Sequence, residues 1–368
     1  MEFVLSELCE QVMTARAGHK PLFVCGGGSK SFYGNHRPVT PQDGHCLLDM
    51  TAYHGIISYH PSELVVTVRA GTRLADLEAE LADHGQMLAF EPPQFEPTAT
   101  IGGAVASGLS GPRRMAAGAL RDFVLGARLL DAQGRQLSFG GEVMKNVAGY
   151  DVARVLAGSM GIFGAILEVS LKVVPRPAGE LTLCAEMSEA DALAAFARWR
   201  SQPLPISAAC WVPAPMPGEP GRCAVRLSGS EPALRAARAR VEGDALDPAA
   251  AQAWWQSLRE QTHAFFQGGV PLWRLAVPPT TPAMGLGPTL IEWGGGQRWL
   301  SARHDAQALR AAAQAAGGHA TLFRPAGGVP ADGVFHPLAP AVAAITRRLK
   351  QELDPVGLFN PGRLVPEL

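Results

Sequence analysis

Clustered cysteines are missing from this sequence of 368 residues. Its six cysteines (Cys9, Cys25, Cys46, Cys184, Cys210, Cys223) are scattered, and no C-x-x-C pair occurs. Structural zinc and iron–sulfur centres need grouped thiolates, so no metal centre is expected. An excess of either charge is missing too, since 32 Lys+Arg face 33 Asp+Glu and leave a net charge of −1. That excludes a global basic field for holding nucleic acid or anionic lipid. No apolar run reaches the ~18 residues of a membrane span. The opening Met1-Glu2-Phe3-Val4-Leu5 has neither the basic flank nor the long apolar core of a signal peptide. These absences predict a cytoplasmic chain with reduced thiols. Lysine is scarce, five of the 32 basic residues, which reads as compositional bias. Both common nucleotide motifs fail. A Rossmann loop needs G-x-G-x-x-G, but Ser31 stands where the third glycine after Gly26 and Gly28 belongs. A P-loop needs a Gly-Lys pair, and none exists.

What is present is apolar and rich in turns. Hydrophobic residues make up 47% and charged residues 18%, the balance of a well-buried protein. The length suits two or three domains, and the 41 glycines and 30 prolines fall into blocks. In residues 1–60, Val4, Leu5, Leu8 and Val12 recur at helical spacing. Pro21 to Cys25 and the segment ending at Leu47-Leu48-Asp49 read as strands. In 61–178, Leu64–Arg69 alternates as a strand, and Leu74, Leu77 and Leu81 line a helix ending near Gly85. A proline-rich loop, Glu91–Pro97, follows. Phe123–Asp131 and Gln136–Phe139 form a hairpin through residues 132–135, and a strand runs from Ala165 to Val174. In 179–330, strands near Leu181–Met187, Ala208–Val212, Cys223–Leu227, Leu290–Trp293 and Arg298–Ser301 mix with helices. One of these helices is capped by Ser188 with Asp191 three residues on. That order predicts an antiparallel sheet with helices on one face. Residues 331–368 form a helix and a tail.

Three glycine-rich stretches stand at strand ends. The first is Gly26-Gly27-Gly28-Ser29-Lys30. The second runs Thr100-Ile101-Gly102-Gly103 to Ser107-Gly108. The third combines Gly149-Tyr150-Asp151 with Gly158-Ser159-Met160-Gly161-Ile162-Phe163-Gly164. Small residues let a backbone approach a flat ligand, and glycine N–H groups can face an anion. A single such loop is an ordinary turn, whereas three together point to a large cofactor.

Cys25-Gly26-Gly27-Gly28-Ser29-Lys30, Thr100-Ile101-Gly102-Gly103-Ala104-x-Ala106-Ser107-Gly108 and Gly161-x-x-Gly164-Ala165-Ile166 resemble the FAD domain of the vanillyl-alcohol-oxidase/PCMH flavoproteins, over about residues 15–178. Three further segments are similar to the E subunits of bacterial glycolate oxidases (glycolate dehydrogenases), and they extend the match to the whole chain. They are Lys145-Asn146-Val147-Ala148-Gly149-Tyr150-Asp151-Val152-Ala153-Arg154 continuing through Gly158-Ser159-Met160-Gly161, then Ile291-Glu292-Trp293-Gly294-Gly295-Gly296, and Phe359-Asn360-Pro361-Gly362-Arg363. The resemblance implies an α+β fold with a PCMH-type FAD domain in two subdomains (1–60 and 61–178). It also implies a smaller antiparallel cap with helices (179–330) and a C-terminal return onto the FAD domain (331–368). By the same resemblance Gly26, Gly27, Gly28, Ser29 and Lys30 form the pyrophosphate loop, with Tyr33 and Gly34 behind it. Thr100, Gly102, Gly103, Ser107 and Gly108 line the flavin and diphosphate, and Gly161 and Ile166 add backbone contacts. Some relatives attach flavin to a histidine in the first loop. The nearest histidine here is His36, so FAD is expected to be non-covalent.

Oxidation of a 2-hydroxy acid also needs a base and a cationic clamp for the carboxylate. The H-x-G-D-G-N string of related catalytic subunits is absent. His336 is the favoured base over His263, His304 and His319. Arg324 is the favoured clamp, with Arg298 and Arg363 as alternatives. Trp293 is a candidate for the flavin face, Arg113-Arg114 for offsetting diphosphate charge or facing a partner, and Cys25 for a buried small residue. The resemblance therefore implies an FAD-binding subunit of a glycolate dehydrogenase complex, partnered by a homologous FAD-containing catalytic subunit and an iron–sulfur subunit that feeds quinone. The substrate is a small 2-hydroxy acid, and membrane association comes only through partners. An autonomous FAD-dependent alcohol or 2-hydroxy-acid oxidase and a non-catalytic scaffold subunit remain as alternatives.

Overall fold

A computed structural model of the chain describes residues 1–35, 46–141, 150–216 and 218–368. His36 and the Lys145–Gly149 part of the resemblance lie outside the described residues. Helix Glu2–Ala17 buries Leu8, Val12 and Ala15 against Leu22 and Leu48. Those two leucines sit in a parallel pair, Leu22–Cys25 with Cys46–Asp49. The C-terminal tail runs beside this pair, with Phe359 bridged in parallel to Leu22. There the Leu22 N–H donates to the Leu358 carbonyl at 2.8 Å, and the Asn360 N–H to the Leu22 carbonyl at 2.9 Å.

A five-stranded antiparallel sheet follows, ordered Ile56–His60, Val65–Arg69, Ala165–Lys172, Val124–Leu130, Gln136–Gly140. Its apolar face meets helix Leu74–Asp83, helix Ile101–Ser107 and helix Val152–Leu156 in one core that includes Val68, Leu77, Val105, Leu129, Leu156 and Val169. The hairpin turn at 132–135 is fixed by Asp131, whose Oδ1 accepts from the N–H groups of Gln133 and Arg135.

An eight-stranded antiparallel sheet holds the rest. Its order is Asp244–Ala245, Gly179–Met187, Gly221–Gly229, Ile206–Val212, Thr289–Glu292, Gln297–Ser301, Leu272–Ala276, His319–Arg324. Alternate residues go to opposite faces. Leu183, Trp211, Val225 and Ile291 pack on helix Glu189–Arg200 and helix Glu231–Arg238. Trp273, Leu275 and Leu322 pack on helix Ala306–Ala315. The other face carries Cys210, Leu290, Trp299 and Phe323, which meet Tyr33, Leu109 and Met160 of the glycine-rich part. Helix Pro248–Arg259 adds Trp255 and Leu258 on this second face. The expectation of helices on one face is thus corrected: helix Pro248–Arg259 packs on the face opposite the other helices. The Ser188 cap is present, its Oγ accepting from the Asp191 N–H at 3.1 Å.

Glu292 ends one strand of this sheet and is 4% exposed. Its Oε2 accepts from Trp299 Nε1 at 2.6 Å and Gln297 Nε2 at 2.9 Å. Burial pushes the carboxyl up to about 7, against those two hydrogen bonds, which pull it down. An acid raised in the folded state stabilises fully below its ordinary pKa, and the contribution is lost as pH rises through the folded value. Stability should therefore fall by roughly 2–3 kcal/mol between pH 5 and pH 8 on this account. Urea midpoints across that range are predicted to slope downward for the wild type and to flatten for Glu292→Gln, whose amide oxygen still accepts both bonds. Equal slopes for the two proteins would contradict this.

Candidate functional site

The first two glycine stretches and the Gly158–Gly164 part of the third meet around one cavity of about 470 Å³, whereas Tyr150 stands exposed outside it. Of the residues expected from sequence, Gly26, Gly27, Gly28, Ser29, Lys30, Thr100, Gly102, Gly103, Ser107, Gly161 and Ile166 line it. Tyr33, Gly34 and Gly108 fall outside the lining. Tyr33 packs its ring on Phe323 and Phe335, Gly34 lies against Met160 and Arg363, and Gly108 ends helix Ile101–Ser107.

The local chemistry explains the loop. Strand Leu22–Cys25 delivers the chain to a crossing so tight that a Cβ on Gly27 would lie 1.6 Å from the Thr98 carbonyl oxygen. Thr98 Oγ1 donates back to the Gly27 carbonyl at 2.7 Å, so the first two stretches are stapled together. Gly28 then takes φ +75°, with only Ser31 Oγ at 3.8 Å from where its Cβ would be. That backbone conformation favours glycine and leaves the loop open to the cavity. Thr100 caps the next helix, its Oγ1 accepting from the Gly103 N–H at 3.3 Å.

Two cations line the cavity, each tied to neutral oxygens. Lys30 Nζ donates to Ser29 Oγ at 3.2 Å and the Gln94 carbonyl at 3.3 Å. Burial lowers it to about 8, opposed by the carboxylates of Glu260 and Glu96. Arg363 Nη2 donates to the carbonyls of Ser31 (2.8 Å) and Tyr33 (2.7 Å), and burial lowers it to about 10. Cys25 is half-buried on the rim and its thiol is pushed up, first by burial and then by Asp49.

Asn360 and Arg363 are lining residues that sequence reasoning did not assign to this cavity. Their signal was the Phe359–Arg363 tail, which suggested only a family likeness and, for Arg363, a carboxylate clamp. The other candidates lie elsewhere. His336 lines a second cavity, and its Nδ1 accepts from the Ala320 N–H at 3.5 Å. Arg324 stacks over Phe32 at 4.6 Å and Phe95 at 5.3 Å. Neither lines the first cavity, although Arg324 and Lys30 share the Phe95 ring. Buried Arg298 donates to the carbonyls of Gly295 and Thr281 and so holds a turn. Trp293 is a joint: its Nε1 donates to the Gly111 carbonyl and Arg114 stacks on it at 4.2 Å. Arg113 pairs with Glu91 and Glu180, bridging the two parts. His263 caps a turn by accepting from the Phe265 N–H. Among the described residues, no group of three His, Cys, Asp or Glu is placed to hold a metal.

Comparison with known proteins decides the family. The profile of an FAD binding domain matches residues 5–140. Glycolate oxidase subunit GlcE of Escherichia coli (strain K12) is 45% identical over 362 residues, covering 98% of this chain and 97% of that protein. The chain belongs to the glycolate oxidase subunit GlcE family. Glycolate oxidase subunit GlcD of Bacillus subtilis (strain 168) is 29% identical over 184 residues, 50% of this chain and 38% of that protein. A solved alkyldihydroxyacetonephosphate synthase superposes with a TM-score of 0.69 at 16% identity, over 97% of this chain and 75% of that one, and so shares the fold. This GlcE-family chain is an FAD-dependent oxidoreductase subunit of PCMH-type α+β fold. The cavity fits the cofactor: two cations and an exposed glycine backbone suit a diphosphate, and the apolar side chains of Leu47, Met50 and Ile166 suit flat rings.

Gly28→Asp places bulk and negative charge in the cavity and adds backbone strain at φ +75°. The variant is predicted to fold and to lose at least nine-tenths of its bound flavin, read as the 450 nm to 280 nm absorbance ratio. Unchanged flavin content would show that the loop does not face the cofactor.

Proposed function

We propose that this chain is the FAD-binding subunit of a glycolate dehydrogenase complex, oxidising glycolate to glyoxylate and passing electrons to an iron–sulfur subunit and then quinone. A homologous FAD-containing subunit carries out the main chemistry. The observation behind this reading is the single cradle formed by the three glycine stretches and the C-terminal tail, in a chain that matches a glycolate oxidase subunit end to end. FAD, when bound, supplies a reversible two-electron acceptor. In this reading residues 1–178 and 331–368 hold it non-covalently and 179–330 form the cap. Gly27, Gly28, Lys30 and Arg363 face the diphosphate, and Gly103 and Ser107 face the flavin side.

Two features support a partner-dependent role. The six cysteines are free, and among the described residues no group of them is placed to hold a metal, so in this reading the iron–sulfur centre sits in another subunit. Where the second glycine stretch meets the large sheet, at Leu109, Gly111, Trp299 and Phe323, the space left is about 20 Å³. That point of the seam admits about one water. No helix among the described residues is long and apolar enough to cross a membrane, so membrane association through partners fits the same reading.

The purified chain is predicted to show a flavin spectrum that anaerobic glycolate fails to bleach within minutes, and to be bleached once the other subunits are added. Prompt bleaching of the lone chain would transfer the reading to an autonomous oxidase.

A further inference from the structure

A second cavity, of about 640 Å³, shares no lining residue with the first. It lies between the inner face of the large sheet, residues 331–339, the start of helix Pro340–Leu353 and the tail at 364–367. Tyr33 links the two cavities. Its carbonyl accepts from Arg363 of the first, and its hydroxyl accepts from Arg274 Nη2 of the second at 2.9 Å.

Three basic groups of this cavity, Arg274, His319 and His336, share one wall with Thr321, while Asn35, Asp332 and Glu367 also line the cavity. Arg274 and Thr321 face each other in the antiparallel register, and His319 stands two residues before Thr321, on the same face of its strand. His336 closes the wall from the 331–339 segment, its ring 6.4 Å from that of His319. Arg274 makes no ion pair among the described residues. Its guanidinium lies over the rings of Tyr33 (5.7 Å) and Phe323 (5.4 Å). The two carboxylates that line the cavity do not neutralise this wall. Asp332 is paired with Arg310, and Glu367 lies exposed on the tail. The crowding shows in the histidines. Partial burial and then Arg274, His336 and Arg114 push His319 below its ordinary pKa. Burial and Arg310 do the same for His336.

We propose that this cavity is a binding site for a small oxyanion, a carboxylate or a phosphate, held by the Arg274 guanidinium, His319, His336 and the Thr321 hydroxyl. The planar fork of Arg274 matches two oxygens of either group, and stacking on two rings holds the fork in place. His336 Nδ1 is taken by the Ala320 N–H, so this ring donates through Nε2–H, and an anion beside His319 favours its protonated, doubly donating form. Thr321, 2% exposed at the base of the wall, supplies a neutral donor.

The test is isothermal titration of the full-length chain, saturated with FAD throughout, with oxalate and separately with inorganic phosphate at pH 6.5. Saturable binding of either anion is expected, weakened at least tenfold by Arg274→Gln. Arg274 also bonds Tyr33, so His319→Gln, at an exposed strand end, is the second variant and is expected to weaken binding in the same direction. Tighter binding of oxalate identifies a small carboxylic acid as the source of the anion, and tighter binding of phosphate identifies a phosphate. Absence of saturable heat with both anions would overturn the site, as would wild-type affinity in both variants. The flavin absorbance retained by each protein sample before titration reports on the first cavity separately.

Discussion

Asn360 holds the two sides of the cofactor cavity together. Its Oδ1 accepts from the Val24 N–H at 2.9 Å, in the strand that enters the first glycine loop. Its Nδ2 donates to the Met160 carbonyl at 2.7 Å, within the third glycine stretch. The tail is fixed in turn by a buried ion pair. Lys350 Nζ reaches Asp354 Oδ2 at 2.6 Å and the carbonyls of Ile162 (2.6 Å) and Phe359 (2.9 Å). Asp354 accepts from the N–H groups of Leu358 and Phe359. A buried charge left without its partner costs several kcal/mol, so the pair and the tail path stand or fall together. The last residues of the chain thereby shape a cavity whose glycine loops lie far earlier in sequence.

The joint between the glycine-rich part and the large sheet depends on a second buried network, centred on Glu91. Burial alone would push this carboxyl up. The Arg226 and Arg113 guanidiniums outweigh that and hold it below the usual carboxylate range. Arg226 comes from the large sheet and Arg113 from the loop after the second glycine stretch, so one carboxylate spans both parts. Glu260 repeats the device, its Oε2 accepting from the N–H groups of Gln94 and Phe95. The proline-rich loop from Glu91 to Pro97 is therefore a fastening strip. Its anchoring leaves little space between the second glycine stretch and the sheet, which bears on the proposed reliance on a partner.

Much of this was legible in the sequence. Alternation and helical spacing marked most strands and helices, and the three glycine stretches pointed to one cavity. Strand Leu272–Ala276 escaped because Leu-Trp-Arg-Leu-Ala is short and largely apolar on both faces, which hides the period of two. Ile56–His60 and His319–Arg324 escaped in the same way as short segments. Helix Ile101–Ser107 carries no helical signal in the sequence because its glycines weaken helical propensity; packing on the five-stranded sheet overrides that. The roles of Asn360, Glu91 and Arg113 were not legible at all. Each acts across more than twenty residues of sequence, and a hydrogen-bond partner at that range leaves no local pattern. His336 and Arg324 looked like parts of one catalytic pair by residue type alone. The fold sends one to the second cavity and the other onto the Phe32 and Phe95 rings.

The central claim is that the C-terminal tail shapes the cofactor cavity through Asn360. The direct measurement is the FAD dissociation constant of Asn360→Ala beside that of the wild type, by flavin fluorescence, with circular dichroism to confirm folding. Removing the side chain leaves one buried and one half-buried backbone group without this partner, a cost of about 1–3 kcal/mol. The account predicts a folded variant whose FAD affinity falls at least tenfold. A folded variant that binds FAD as tightly as the wild type would contradict it.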